Sequence, residues 1–342
     1  MQIIDTHAHI APRRYKEAIQ RNGTWHGLDH VVGELHRPEG FNKGVETRLA
    51  EMDAAGIDRQ LVTPSVGFYQ YDKELDHAIT VARECNEDIA EMVDDHPDRF
   101  SGLGTLPMQD VPAAIEELTR AVKVLNLKGA IINDHVNGKT YDEPEFLPFF
   151  AAAESLGAIL EFHQGGGGVS GIGTVVGPRI ARYSLPNGIG NLTDRVITFA
   201  ALVFGGVIDK YPDLKLLLAH GGGYTAYGVA RLDKIAGAFE GGYPKGPLTP
   251  PFVQPEGQYS LTRAPSTYLN SFHYDCITYD GVALRFLIDK VGIEQVTLGT
   301  DYPAPMLLIN AVNWINNLTQ LTNDEKQMIL RNNSSVLLGL SE

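Results

Sequence analysis

Short apolar runs alternate with longer amphipathic ones along most of this chain. Residues 1–10, MQIIDTHAHI, form an apolar run that closes on Asp5-Thr6-His7-Ala8-His9. From Val45 the spacing changes. Val45, Leu49 and Met52 fall at i, i+4 and i+7 on one helical face, and Gly56 marks the end of that helix. A strand over 59–63 follows. The same alternation predicts helices over 75–94, 111–125 and 145–156, the last begun by Pro144, with strands over 100–106, 128–133 and 158–163. It then predicts helices over 193–211, 225–239, 281–291, 305–320 and 323–338, and strands over 214–220, 268–276 and 295–300. Eight strands alternating with helices predict an α/β fold, a (β/α)8 TIM barrel. A doubly wound open sheet competes, but no Gly-x-Gly-x-x-Gly follows the first strand.

Three stretches break the rhythm. Residues 11–44 are polar, carry His26, His30 and His36, and read as a small N-terminal insertion over the catalytic face, a lid with substrate contacts. After the fifth strand comes a glycine-rich stretch, Gln164 followed by four glycines. It lacks the Lys-Ser/Thr that a phosphate-binding loop requires. Residues 241–265, rich in proline and glycine, read as a surface loop or oligomer-contact arm. Because the alternation resumes unchanged after them, the expectation is one barrel domain over 1–342.

Composition narrows the partners. The chain has 342 residues, 43% hydrophobic and 20% charged, as expected of a soluble protein with a large core. A net charge of −14 disfavours nucleic acid and anionic membranes, which would repel it, and leaves a small molecule as the partner. Cys85 and Cys276 lie far apart with no Cys-x-x-Cys spacing, which suits buried free thiols in a reducing compartment. No apolar window is long enough for a membrane span, and the first residues are needed for chemistry. The expectation is a cytoplasmic protein without a cleaved signal.

Candidate chemistry sits in one phase. His7 and His9 end the first strand, His163 the fifth, His220 the sixth and Asp301 the eighth, where a barrel of this kind builds its active site. A single strand-end histidine is as well explained by a capping hydrogen bond, but five such residues on one rim are not. His7, His9, His163 and Asp301 are expected to hold one metal ion. Three imidazoles and a carboxylate suit Zn2+, with Mn2+ the competitor, and leave a position open for water or substrate. His220 can be a fifth ligand or, as preferred here, the general acid/base beside the ion, with Asp301 also taking part in catalysis. A second ion bridged by a carboxylated lysine is disfavoured, since Lys128 stands at the wrong end of strand four. Asp134 and His135 lie where substrate contacts would be, though a loop turn accounts for them equally well.

These residues resemble the amidohydrolase superfamily, and within it the 2-amino-3-carboxymuconate-6-semialdehyde decarboxylase subgroup. The resemblance runs nearly end to end, through Ile4-Asp5-Thr6-His7-Ala8-His9, Gly102-Leu103-Gly104-Thr105-Leu106-Pro107-Met108-Gln109, Ala219-His220-Gly221-Gly222-Gly223 and Leu298-Gly299-Thr300-Asp301-Tyr302-Pro303. It implies a zinc-bearing barrel, a strand-six histidine acting on metal-bound water, and a homodimer whose partner lends an arginine. Arg231 occupies the matching place, and its planar guanidinium suits a carboxylate. Asn187 stands where the subgroup keeps a tryptophan, and Gln164 with its glycines replaces the proline that follows the strand-five histidine there. Arg37 lies near, but out of register with, the subgroup's early carboxylate-binding arginine.

Taken together, the sequence predicts a metal-dependent carbon–carbon lyase, a decarboxylase of an unsaturated or aromatic carboxylic acid from ring-cleavage metabolism. A hydrolase or hydratase of a ring-fission product on the same site is the alternative. A non-catalytic binding protein on a retained barrel is a third reading.

Overall fold

A computed structural model of the chain describes residues 2–28, 43–165, 180–237, 261 and 263–340. Its strands are β1 (Ile4–Ile10), β2 (Arg59–Pro64), β3 (Phe100–Gly102), β4 (Gly129–Ile132), β5 (Ile159–Phe162), β6 (Lys215–Leu218), β7 (Phe272–Asp275) and β8 (Val296–Thr297). All neighbouring pairs are parallel, in the orders β1-β2-β3 and β4-β5-β6-β7-β8. Two single bridges join these sheets into a closed ring. Gly104 pairs with Ala130 between β3 and β4, and Ala8 pairs with Tyr302 beyond β8. The β8–β1 seam is also tied by Thr6 N donating to Leu298 O at 2.8 Å and Asp301 N to His7 O at 2.9 Å. This is the (β/α)8 barrel that the alternation predicts. Most strand residues are buried, as a parallel sheet covered by helices on one side and packed with its own side chains on the other requires.

Register brings the functional residues to one level. Ile132 pairs with Phe162, Phe162 with Leu218 and Leu218 with Tyr274. The residues that follow them, Asn133, His163, Ala219 and Asp275, therefore emerge together at the mouth. At the start of β4, Gly129 adopts φ +148, and a Cβ there would lie 2.0 Å from Ile159 O, so only glycine lets these two strands approach.

Several boundaries differ from the periodic reading. The first half of the strand expected over 268–276 is a 3-10 helix, Pro265–Ser271. Ser266 N donates to Asp233 at 2.7 Å and Tyr268 OH to Asp209 at 2.6 Å, so local polar bonds override strand propensity. The helix expected over 193–211 is Asn191–Phe204 followed by Val207–Lys210, broken at Gly205 and at Gly206, which adopts φ 72. The helix expected over 305–320 covers only Ala311–Asn317, because Asn310 sits in the left-handed region just before it. Gly56 does end its helix, in the left-handed conformation.

The insertion is less irregular than its composition suggests. Arg13–Gln20 is a helix, with Tyr15, Ala18 and Ile19 on one face. Tyr15 packs with Trp25 and Phe68, and Trp25 and His26 both bond Glu84 of the helix Leu75–Asp95, at 2.9 and 3.0 Å. Residues 29–42, including His30, His36 and Arg37, lie outside the described residues. So do Gly166–Gly168 and most of the arm over 241–265. No helix among the described residues is long and apolar enough to cross a membrane.

Candidate metal centre

His7 and His9 lie in the second half of β1, His7 within a register shift against β2 between Asp5 and Ala8 and His9 just past it. His163 follows β5 directly, His220 follows β6 by two residues, and Asp301 follows β8. All but His220 are buried, and that imidazole is only 10% exposed. One ligating atom from each of His7, His9, His163 and Asp301 lies within 4.8 Å of the others. His7 Nε2 is 3.2 Å from His9 Nε2, and Asp301 Oδ1 is 3.5 and 3.2 Å from those two nitrogens. The ring of His220 is 4.7 Å from that of His163, centre to centre, and its Nε2 is 3.8 Å from Asp301 Oδ2.

The far side of each ring fixes which nitrogen faces inward. His7 Nδ1 meets Asp275 Oδ2 at 2.7 Å, His9 Nδ1 meets Thr63 Oγ1 at 3.0 Å, and His163 Nδ1 meets the carbonyl of Gln164 at 3.1 Å. A carboxylate and a carbonyl only accept, and Thr63 Oγ1 accepts while donating toward Ala8 O at 3.4 Å. Each Nδ1 therefore carries the proton, and each Nε2 presents a lone pair to the common centre. His163 Nε2 and Asp301 Oδ1 have no hydrogen-bond partner among the described residues. Four converging donors of this kind fit a divalent cation.

Electrostatics agree. Burial pulls His7 down, but the hydrogen bond to Asp275 and the fields of Asp301 and Glu161 outweigh it and lift the imidazole to about 10. A cation in the cage would take the place of that proton. Burial pushes His163 well below its ordinary value, helped by the neighbouring imidazoles, and also lowers His9. Asp301 stays well below the usual carboxylate range. Burial opposes this, and the neighbouring imidazoles of His220, His9 and His7 prevail.

Several residues essential to this geometry are given no role by the sequence pattern. Asp275, the last residue of β7, holds His7 and also accepts from His220 N at 2.7 Å and Gly221 N at 2.8 Å. It ends a strand in the same phase as the ligands, and that phase was the available signal. Asp5 accepts from Gln60, Thr300 and His7 N, which locks β1 to the segment bearing Asp301. Arg48, buried, donates to the carbonyl of His9 and to Gln60 and lies 4.6 Å from the Tyr302 ring centre.

The expected substrate contacts lie on different elements. Asn187 and His220 share a cavity of about 570 Å³ whose walls include Tyr224, Tyr227, Tyr279, Phe286 and Met306. His135, half-buried, accepts from Gly138 N within its own loop. Arg231 is exposed on the helix Thr225–Gly237. Lys128 precedes β4, at the end of the strand opposite the mouth.

Comparisons with known proteins place the chain among relatives of known activity. The amidohydrolase family model matches residues 4–340. The 2-amino-3-carboxymuconate-6-semialdehyde decarboxylase of Dictyostelium discoideum is 31% identical over 350 residues, covering 98% of this chain and 91% of that one. The gamma-resorcylate decarboxylase of Rhizobium sp. is 27% identical over 331 residues, 92% of this chain and 90% of that one. Among solved structures, 5-carboxyvanillate decarboxylase from Sphingomonas paucimobilis superposes with a TM-score of 0.80 at 25% identity, covering 99% of both chains. The 5-carboxyvanillate decarboxylase of Novosphingobium aromaticivorans, solved with manganese and 4-hydroxy-3-methoxy-5-nitrobenzoic acid, superposes at 0.82 with 24% identity over 99% of this chain and 96% of that one.

Proposed function

The chain belongs to the amidohydrolase family, and from that premise we propose that it is a metal-dependent decarboxylase of an aromatic or otherwise unsaturated carboxylic acid. One observation supports this reading most strongly. Three imidazole Nε2 atoms and a carboxylate converge at the barrel mouth, and a further imidazole stands beside them in a chain whose relatives are decarboxylases.

Breaking the bond to the carboxylate leaves an electron pair on carbon, and a proton must take the place of the carbon dioxide that departs. His7, His9, His163 and Asp301 would hold the ion. When bound, it supplies positive charge that draws electron density from the substrate. His220 delivers the proton to the carbon that loses carbon dioxide, and its backbone is held for this by Asp275. Burial of the cage excludes bulk water from the carbon that gains the proton. Beyond His220, the aromatic walls of the cavity suit the flat face of a conjugated acid.

We assign zinc, which three imidazoles favour over manganese at equal availability. Arg231 holds a substrate carboxylate from the partner of a homodimer, Asn187 and His135 supply further polar contacts, and the protein works in the cytoplasm. Residues 11–44 and 241–265 serve as lid and arm of one domain.

The test is product analysis of the metal-loaded protein against aromatic and dienoic acids. Release of one carbon dioxide per substrate, abolished by chelation, is the expected result. Net uptake of water without carbon dioxide would instead make the enzyme a hydrolase or hydratase. Binding without turnover of any acid would leave only a binding protein.

A further inference from the structure

We propose that Arg195 is a positioning residue that sets His163 and His220 relative to one another through a single carbonyl oxygen, that of Phe162. The inference rests on the roles given above to those two histidines. Arg195 lies on the helix Asn191–Phe204 with its side chain fully buried. Its Nη1 donates to Phe162 O and its Nη2 to Asp134 Oδ2. Phe162 is the last residue of β5, and the next residue is His163. The same oxygen accepts from Ala219 N at 3.3 Å, and the next residue there is His220. Both lone pairs of one carbonyl are thus taken by groups that fix the approach to the two imidazoles.

The strut is itself braced. Thr198 Oγ1 donates to Asp134 Oδ1 at 2.7 Å, so the carboxylate cannot turn away from the guanidinium. The helix is pressed onto the turn after His220, where Tyr224 N donates to Leu192 O at 3.1 Å. At Gly223, φ +60, a Cβ would stand 2.3 Å from Leu192 O and 2.9 Å from the Arg195 Cβ, so no larger residue fits between them.

A buried charge is costly, and an apolar side chain of similar volume would pack as well. What an apolar residue cannot do is aim two donors along fixed directions, as the rigid planar guanidinium does. Lysine offers one charged nitrogen on a flexible stem and methionine offers no donor, so these two substitutions separate aiming from filling.

The experiment uses the full chain loaded with Co2+, whose visible spectrum reports ligand geometry without turnover. Arg195→Lys and Arg195→Met are compared with the wild type by spectrum, by chelator competition and by steady-state kinetics. In Arg195→Met the expected results are an altered spectrum and Co2+ binding weakened by about 10–100-fold, the usual consequence of losing support behind a ligand. The kcat falls while KM changes little. Arg195→Lys recovers part of the lost affinity. Equal losses in the two variants, or a folded methionine variant with the wild-type spectrum and affinity, would overturn the proposal. Should both variants fail to fold, Thr198→Val carries the test, because it removes only the brace on Asp134. A smaller shift of the same spectrum supports the strut, and an unchanged spectrum overturns it. A wild-type protein that takes up no Co2+ would instead sink the metal-centre reading itself.

Discussion

At the C-terminal ends of its strands the barrel collects imidazoles and carboxylates, while at the N-terminal ends it collects isoleucine and leucine. Ile4 and Ile159, the first residues of β1 and β5, pack with Leu61, Leu103, Leu337 and Leu338 in a cluster separate from the main core. The C-terminal helix Asn333–Leu338 brings the last two of these, and Asn333 Nδ2 anchors it on the carbonyls of Ile293 and Val296, each at 2.7 Å. The mouth is built with strain instead. His220 and Asp301 adopt φ 58 and 60, a region that costs a residue with a side chain about 1–3 kcal/mol. Stability concentrated at the base lets the mouth keep strained backbone and buried charge that chemistry uses.

A single variant can separate these roles most sharply. His220→Gly removes the proton-transfer group while its backbone N–H can still bond Asp275, and glycine accepts a positive φ without steric cost. Turnover is expected to fall by about 10²–10⁴-fold while metal content is kept. The thermal midpoint should hold or rise. A midpoint that drops in step with turnover would mean that the mouth carries the fold as well, and the division would fail.

The converse change belongs at the base. Leu337 is 2% exposed within the apolar cluster, and Leu337→Ala should cost about 2–5 kcal/mol, read from urea midpoints. Per folded molecule, kcat and metal affinity should be those of the wild type. Loss of metal affinity alongside stability would show that the two ends are coupled.

How much of this was legible in the sequence follows the same division. His7, His9, His163, His220 and Asp301 could be found because each closes an apolar run, so one-dimensional phase stood in for three-dimensional convergence. Asp275 obeyed that phase too, but it lies inside the run Tyr274-Asp275-Cys276 and reads there as a single polar interruption. Arg195 could not be found. On a helix with an ordinary periodic pattern nothing distinguishes a buried arginine from an exposed one until the neighbouring helix and strands are placed. The base was legible as strands but not as a plug, because the helix that fills it comes 333 residues into the chain and contacts residue 4. The short insertion helix was missed although Tyr15, Ala18 and Ile19 carry its period. A polar average over 11–44 concealed a single turn-and-a-half of apolar face.

The smallest effect is one of pH, and it tests the base through a residue that is not itself one of the proposed ligands. His273, second residue of β7, is pushed down to about 4 by burial, with the charge of Lys215 adding to it. Its Nδ1 is buried without a hydrogen-bond partner among the described residues. Between pH 6.5 and 4 the unfolded chain takes up a proton that the folded chain refuses. The stability tied to this residue is therefore complete above pH 6.5 and is lost as pH falls toward 4, by up to about 1.4 kcal/mol for each unit. His273→Gln, which cannot take that proton, should lose less stability than the wild type between pH 7 and 5. Urea midpoints of the two proteins at both pH values measure the difference directly. Other acid-sensitive groups are common to both proteins and cancel. Equal losses would mean that protonation of His273 does not bear on stability and that this part of the barrel is indifferent to pH in that range.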